Sequence, residues 1–277
     1  MSDSSREAAR NWWRTEIIDI EPGKIRIRGY PIEQLIGNID FAQMIWLMLR
    51  GEIPGKAEAD LLGAALVAAV DHGPQAPSIA IARMAMTCGV GINNAMASAI
   101  NVLGDVHGGA GEQAMELFAA IDAAVQGGSS LTAAVAQTLD RFQAEHGKYV
   151  PGFGHRFHPV DPRGPRLLAL VDAAARAGTV SGRFAAIGRA VEEALAVRSG
   201  KHLTMNIDGS AAVVFSELGF APKLGRGLFI LSRAVGILAH AWEQHGQGGR
   251  NKGPIPPDFL YSYVGKGPRD VEPEGNG

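Results

Sequence analysis

The 277-residue sequence is poor in the residues that would mark several protein classes. It has one cysteine, Cys88, which excludes an internal disulfide framework and a cysteine-rich zinc module, and the expectation is a reducing, cytoplasmic setting. Charge is scarce and balanced, with 26 Lys+Arg against 28 Asp+Glu and a net charge of -2. A nucleic-acid binder usually carries a basic excess, so none is expected here. Four Tyr, four Trp and few Val/Ile/Thr runs weigh against an all-β chain. Met1–Arg14 has no apolar run, so no signal peptide is expected. There is no GxxxxGK[ST] loop for ATP and no GxSxG nucleophile elbow. Gly152-Phe153-Gly154 lacks the third glycine of a dinucleotide fingerprint.

What is present points to helices. Hydrophobic residues make up 46% of the chain, enough for a sizeable core, and 42 residues are alanine, the best helix former. Met84–Gly104 carries no charge, but Thr87, Asn93, Asn94, Ser98 and Asn101 interrupt it. Its small residues suit a buried or subunit-contact helix, and no membrane span is expected. Glu21-Pro22-Gly23 separates Thr15–Ile20 from the alternating Lys24–Arg28, which predicts a hairpin. Asp40 is placed to cap a helix over Phe41–Arg50. Helical spacing continues in Ala57–Val70, Ser78–Thr87, Ile92–Leu103, Gly111–Gln126, Ser130–Glu145, Pro165–Ala177, Gly182–Val197, Ser210–Leu218 and Arg226–Gln244. Lys266–Gly277 has no hydrophobic period and reads as a frayed tail.

Polar residues break the apolar, Gly-rich pattern at four turns: Asp71-His72-Gly73, Asp105-Val106-His107-Gly108, Gly152–Arg163 and Met205–Gly209. Glycine beside a functional group lets backbone approach a ligand closely. Each spot alone has an ordinary explanation: a histidine ending a helix, or Asp208 as the N-cap of Ser210–Leu218. Arg233 is sharper, because Leu228–Leu238 is apolar nearly all round and a buried guanidinium needs an anion. That anion is either an internal acid or a substrate carboxylate, which Arg clamps bidentately. His155 and His158 stand three residues apart, a candidate metal pair. With no HExxH and one cysteine, no metal is assigned.

The segments "VPGFGHRFHPVDPR", "MNIDGSAAVVFSELGF" and "LFILSRAVGILAHAWEQ", in this order, resemble the citrate synthase superfamily. The likeness runs from about Thr15 to Gly265. It implies an all-α, citrate synthase-like fold with a short N-terminal β-hairpin, and a large helical domain interrupted by a small one. The expected division is 1–108 and 215–265 for the large domain, 109–214 for the small domain, and 266–277 for the tail. It also implies a homodimer or higher oligomer with the active site in the interdomain cleft.

By motif, the resemblance gives His107 the thioester oxygen, Asp208 the proton exchanged with the acetyl methyl, and His155 the oxo or hydroxyl group. His72, Arg163 and Arg233 match carboxylate binders. Val150, Pro151, Gly152, Phe153 and Gly154 resemble the stretch that accepts coenzyme A, which would be substrate and product rather than a resident cofactor. Only seventeen residues separate Pro54 from His72, and "DHGP" stands where synthases have "DHE". Both traits resemble stand-alone citryl-CoA lyases and the lyase module of ATP-citrate lyase. In place of an "RPR" context before "YVG" the chain has Gly249-Arg250-Asn251-Lys252, so Arg250 or Lys252 is the candidate for a cation reaching a neighbouring subunit.

The expectation is a carbon-carbon lyase that cleaves citryl-CoA to acetyl-CoA and oxaloacetate through an enolate. A small citrate or methylcitrate synthase and a citramalyl-CoA lyase are the alternatives within the family. A non-catalytic acyl-CoA-binding protein and a metal hydrolase using His155 and His158 are the alternatives outside it. Without a phosphate-binding loop, the lyase would depend on a separate citryl-CoA synthetase.

Overall fold

The computed structural model describes residues 3–155, 158–256, 258–259 and 261–271. The order is α1 (Asp3–Trp12), β1 (Ile18–Glu21), β2 (Lys24–Ile27), β3 (Tyr30–Pro31), α2 (Ile32–Leu35), α3 (Phe41–Arg50), α4 (Lys56–Ala68) and α5 (Pro77–Thr87). There follow α6 (Ile92–Asn101), α7 (Ala110–Gln126), α8 (Leu131–His146), α9 (Arg163–Arg176), α10 (Arg183–Ser199), α11 (Ile207–Glu217) and α12 (Pro222–Gln247).

The expected hairpin is present as β1 and β2, paired antiparallel with Ile18 opposite Ile27. A third strand, β3, extends it through Arg26 opposite Pro31. The sequence marks no element before Thr15, yet α1 forms there from good helix formers and buries no residue. Asp40 does cap α3: its side chain accepts from Gln43 N–H while Gln43 reaches back to the Asp40 N–H. Such a reciprocal cap contributes about 1 kcal/mol.

Two clusters of buried side chains organise the helices. The larger runs from Trp46 and Leu62 through Phe118, Leu139, Val171 and Val191 to Phe215 and Leu228. The smaller joins Ile79, Ala82, Ala95 and Ala99 to Ile237 and Ala241 of α12. α11 is buried along almost its whole length, and the boundary expected at 214 falls inside this unbroken helix. α12 is long and apolar enough to cross a membrane, but it packs against α4, α5, α6 and α7. Small residues make this packing close. A side chain at Gly236 of α12 would collide with the Val70 carbonyl, just before the Asp71-His72-Gly73 turn.

Candidate active site

The four polar turns converge. His72, His107, His155, Arg163, Asp208 and Arg233 all line one cavity of about 330 Å³, with Phe229 in its wall. Their loops come from the ends of α4, α6 and α11 and from the segment before α9.

His107 is oriented by the first turn of α5. The Ser78 N–H donates to His107 Nε2 at 3.2 Å, and Ser78 Oγ lies 3.0 Å from the same nitrogen. Nε2 therefore accepts, and the neutral ring carries its proton on Nδ1. Burial holds the imidazole below the usual histidine range, and the Arg233 charge adds to this. His107 is thus a neutral donor at physiological pH.

The His155 ring is set in the opposite sense. His158 N–H donates to His155 Nδ1 at 3.1 Å, so the neutral ring carries its proton on Nε2. Burial again lowers its pKa, with His158, His72 and Arg163 adding to the effect and Asp161 opposing it. His72 is lowered by burial and by the Arg163 and Arg233 charges. It sits on a turn in which Gly73 N–H donates to Asp71 Oδ2 at 3.1 Å and Gln75 Nε2 donates to the His72 carbonyl at 2.6 Å. Behind that turn, His240 Nε2 lies 3.3 Å from Asp71 Oδ2 and Arg83 lies 3.3 Å from His240 Nδ1.

Asp208 is not an N-cap, which corrects the ordinary explanation for it. α11 starts three residues earlier than its spacing suggests, and Asn206 caps it by accepting from the N–H groups of Asp208 and Gly209. Asn206 Nδ2 also donates to the Gly154 carbonyl at 2.8 Å. The Asp208 carboxyl is pushed up by burial, against the opposing pull of Arg233 and Arg163. Asp161 behaves in the opposite way. It is fully buried and accepts from Arg163 Nε and Nη2 at 2.9 and 2.8 Å and from Ile207 N–H at 3.0 Å. Burial alone would raise it, but these bonds prevail and hold it below the usual carboxylate range.

Arg233 is buried in the wall of the same cavity. Its Nε donates to the Ala69 carbonyl at 3.2 Å and its guanidinium stacks over Phe229 at 4.9 Å. Among the described residues it forms no ion pair, although only 5% of it is exposed. Asp71 and Asp208 are near enough to support the cation, without a direct bond.

The segment expected to accept coenzyme A divides in two. Val150 and Pro151 line a second, larger cleft of about 780 Å³, together with Arg141, Tyr149, Lys223 and Arg226. The backbone of 152–154 turns instead toward the start of α11. The Gly152 carbonyl accepts from Asn206 N–H, Gly154 N–H donates to the Thr204 carbonyl, and Phe153 pairs with Met205. A Cβ at Gly209 would collide with the Gly152 carbonyl, and Gly152 itself has φ +87°. Glycine is required on both sides of this contact. Arg250 is exposed and lies outside the cavity of its own chain. Its neighbours Asn251 and Lys252 bond to Thr87 at the end of α5. Asn206, Asp161 and Ser78 are missed by sequence reasoning. Asn206 alone leaves a signal, an N-cap residue two positions before an acid.

A mostly helical fold with oriented histidines, a raised carboxyl and a buried arginine beside them in one cavity defines a candidate acid–base enzyme for an anionic substrate. The sequence matches the family "Citrate synthase, C-terminal domain" over residues 9–66 and 55–252, and the chain belongs to the citrate synthase family. The structure of citryl-CoA lyase from Hydrogenobacter thermophilus superposes with a TM-score of 0.81 at 33% identity, covering 94% of this chain and 97% of that one. Methanosaeta concilii ATP citrate lyase, solved with (3S)-citryl-CoA, shares the fold at a TM-score of 0.75 and 21% identity, over 96% of this chain and 45% of that one. A citrate synthase of Haloferax volcanii is 31% identical over 75% of this chain and 52% of its own length. The chain spans about half the length of the curated relatives it matches.

Proposed function

We propose that this chain is a citryl-CoA lyase-type enzyme, releasing acetyl-CoA and oxaloacetate. The observation that carries the reading is the neutral His107, with its Nδ1–H donor, sharing a cavity with the raised Asp208 carboxyl. In cleavage, the hydroxyl proton of citryl-CoA passes to His155 as the oxo group forms. Since His155 Nδ1 accepts from His158 N–H in the structure, this step needs that bond to be released. The electron pair of the broken carbon–carbon bond becomes the enolate of acetyl-CoA, whose oxygen His107 Nδ1–H holds. Asp208, whose burial favours the neutral carboxyl, delivers a proton to the enolate carbon and becomes a carboxylate. The proton on His155 returns to Asp208 through solvent, which closes the cycle. Polarising the oxygen while moving a proton at carbon combines electrostatic and acid–base catalysis. Arg233, Arg163 and His72 take the carboxylates.

The larger cleft would take the coenzyme A portion. Its loop 105–106 continues directly into His107 and Gly108 of the cavity, so a thioester entering from the cleft meets His107. The likeness to the citryl-CoA lyase structure, at a TM-score of 0.81 and 33% identity, supports the lyase over the synthase. A small citrate synthase is the second reading, favoured by the names of the curated relatives. Incubation with citryl-CoA should give acetyl-CoA and oxaloacetate without free CoA. Rapid release of free CoA from acetyl-CoA plus oxaloacetate would instead establish the synthase.

The same reading includes a homodimer. Leu231, Val235, Leu238 and Trp242 leave one exposed apolar stripe on α12, beside the segment that carries Arg250. Light scattering at assay concentration should report a dimer, and an active monomer would refute the assembly.

A further inference from the structure

We propose that His72, His155 and His158 form a binding site for a divalent transition metal, with zinc the best match, and that metal bound there excludes the oxo acid. The sequence offers only the pair His155 and His158. The fold adds His72 from a distant turn, and one nitrogen from each of the three rings lies within 4.8 Å of the other two. The ring centroids are 4.7 Å apart for His155 and His158, 5.1 Å for His72 and His155, and 6.2 Å for His72 and His158.

Tetrahedral zinc binds imidazole nitrogen at about 2.0–2.1 Å, which sets the ligand nitrogens about 3.3 Å apart. A contraction on the order of 1.5 Å closes the difference. His72 is the fixed ligand, since its turn is tied by Gly73 N–H to Asp71 and by Gln75 to its own carbonyl. His155 and His158 stand three residues apart in the sequence, and their rings are the two that must approach it. Three imidazoles suit zinc, cobalt or nickel, whereas calcium and magnesium want oxygen. Arg163 and Arg233 oppose a dication in this cavity, and Asp161, bonded to Arg163, offsets part of that charge.

The tautomer of His155 sets the consequence. Its Nδ1 accepts the His158 N–H. Metal at Nδ1 takes that lone pair, and metal at Nε2 moves the ring proton to Nδ1, facing a donor. Either way, the ring keeps no free lone pair for the hydroxyl proton that the proposed function passes to His155. The ion is therefore an inhibitor here and no Lewis acid for the reaction. The exclusion half rests on the proposed function, while the binding half rests on the three rings alone.

The test uses the full chain, stripped of metal, and its His158→Gln variant. Glutamine keeps the backbone N–H that orients His155 and removes the third imidazole. Calorimetric titration with zinc chloride should find one ion per wild-type chain, bound at least about 10-fold more weakly by the variant. Cobalt should give a ligand-field absorption that the variant lacks and that oxaloacetate abolishes. Zinc should inhibit the wild type and spare the variant. Equal zinc affinity in both chains overturns the site. A cobalt spectrum that persists under saturating oxaloacetate overturns the exclusion. Neither readout needs turnover, so a chain inactive on citryl-CoA would refute the assigned reaction and leave the metal result to stand or fall separately.

Discussion

The cavity of about 330 Å³ and the cleft of about 780 Å³ lie on either side of the 105–108 loop, and they hold their charges differently. In the cleft two cations are already paired, Lys223 with Glu112 and Glu116 and Arg226 with Asp105 and Glu112, and Lys223 is exposed. In the cavity, Arg233 is buried without an ion pair, Asp208 is raised by burial, and two histidine tautomers are fixed by backbone N–H groups. A wet, paired cation exchanges partners at little cost and suits loose recognition of a charged tail. A buried, unpaired one costs stability until its ligand arrives and suits discrimination at the reacting centre.

The contrast breaks most visibly at Asp208. Asp208→Asn should lower kcat by about 10²-fold or more, because shape is kept and the proton is not. Stability moves the other way. A carboxyl raised on folding penalises the folded state as pH climbs from about 3.9 through the raised value, and the penalty is complete above it. Asparagine removes that penalty, and Asn206 still caps α11, so the Tm at pH 7 should equal or exceed that of wild type. Near-normal turnover with a lowered Tm would return Asp208 to a structural role.

Arg233→Lys comes next in size. A lysine keeps the charge but not the fork, so the KM for citryl-CoA should rise roughly 10-fold or more. Steady-state kinetics with an unchanged KM would mean that the guanidinium serves only the Ala69 carbonyl and Phe229.

The histidines then predict a pH profile. His72, His107 and His155 are all held below the usual value, so each stays neutral as pH falls through about 6.5. The acid limb of kcat/KM should therefore lie below about pH 6.5. A limb centred at or above that value would show that an imidazole works from its unshifted state. Protonating these rings also favours the unfolded chain, so stability should fall across the same acid range.

Much of this was legible in the sequence because it depends on local chemistry. The period-2 pattern around Ile25 and Ile27, the Asp40 cap and the apolar faces of α4 and α10 each need only neighbouring residues. The cavity residues stood out because a charge or imidazole interrupted glycines. What stayed hidden is what distant segments do to one another. Asp161 reads as a loop acid, and only folding shows that it carries both Arg163 and the Ile207 N–H. Ser78 reads as an ordinary first-turn serine until α5 meets the His107 loop. The start of α11 was misplaced because an acid beside a glycine imitates a cap, while Asn206, two residues earlier, is the one that makes it. α1 left no signal by burial, since none of its residues enters the core.

The smallest effect is expected in the cleft, at Arg226. It pairs with the exposed Asp105 and with the buried Glu112, and Lys223 still holds Glu112 when Arg226 is removed. Arg226→Ala should raise the KM for a CoA thioester about two- to fivefold and leave kcat unchanged, the mark of binding lost equally from ground state and transition state. Because Asp105 stands two residues before His107, the same variant also tests whether the recesses act separately. If kcat falls along with the rise in KM, the Arg226–Asp105 bond positions the His107 loop, and the cleft then belongs to the catalytic geometry as well as to binding.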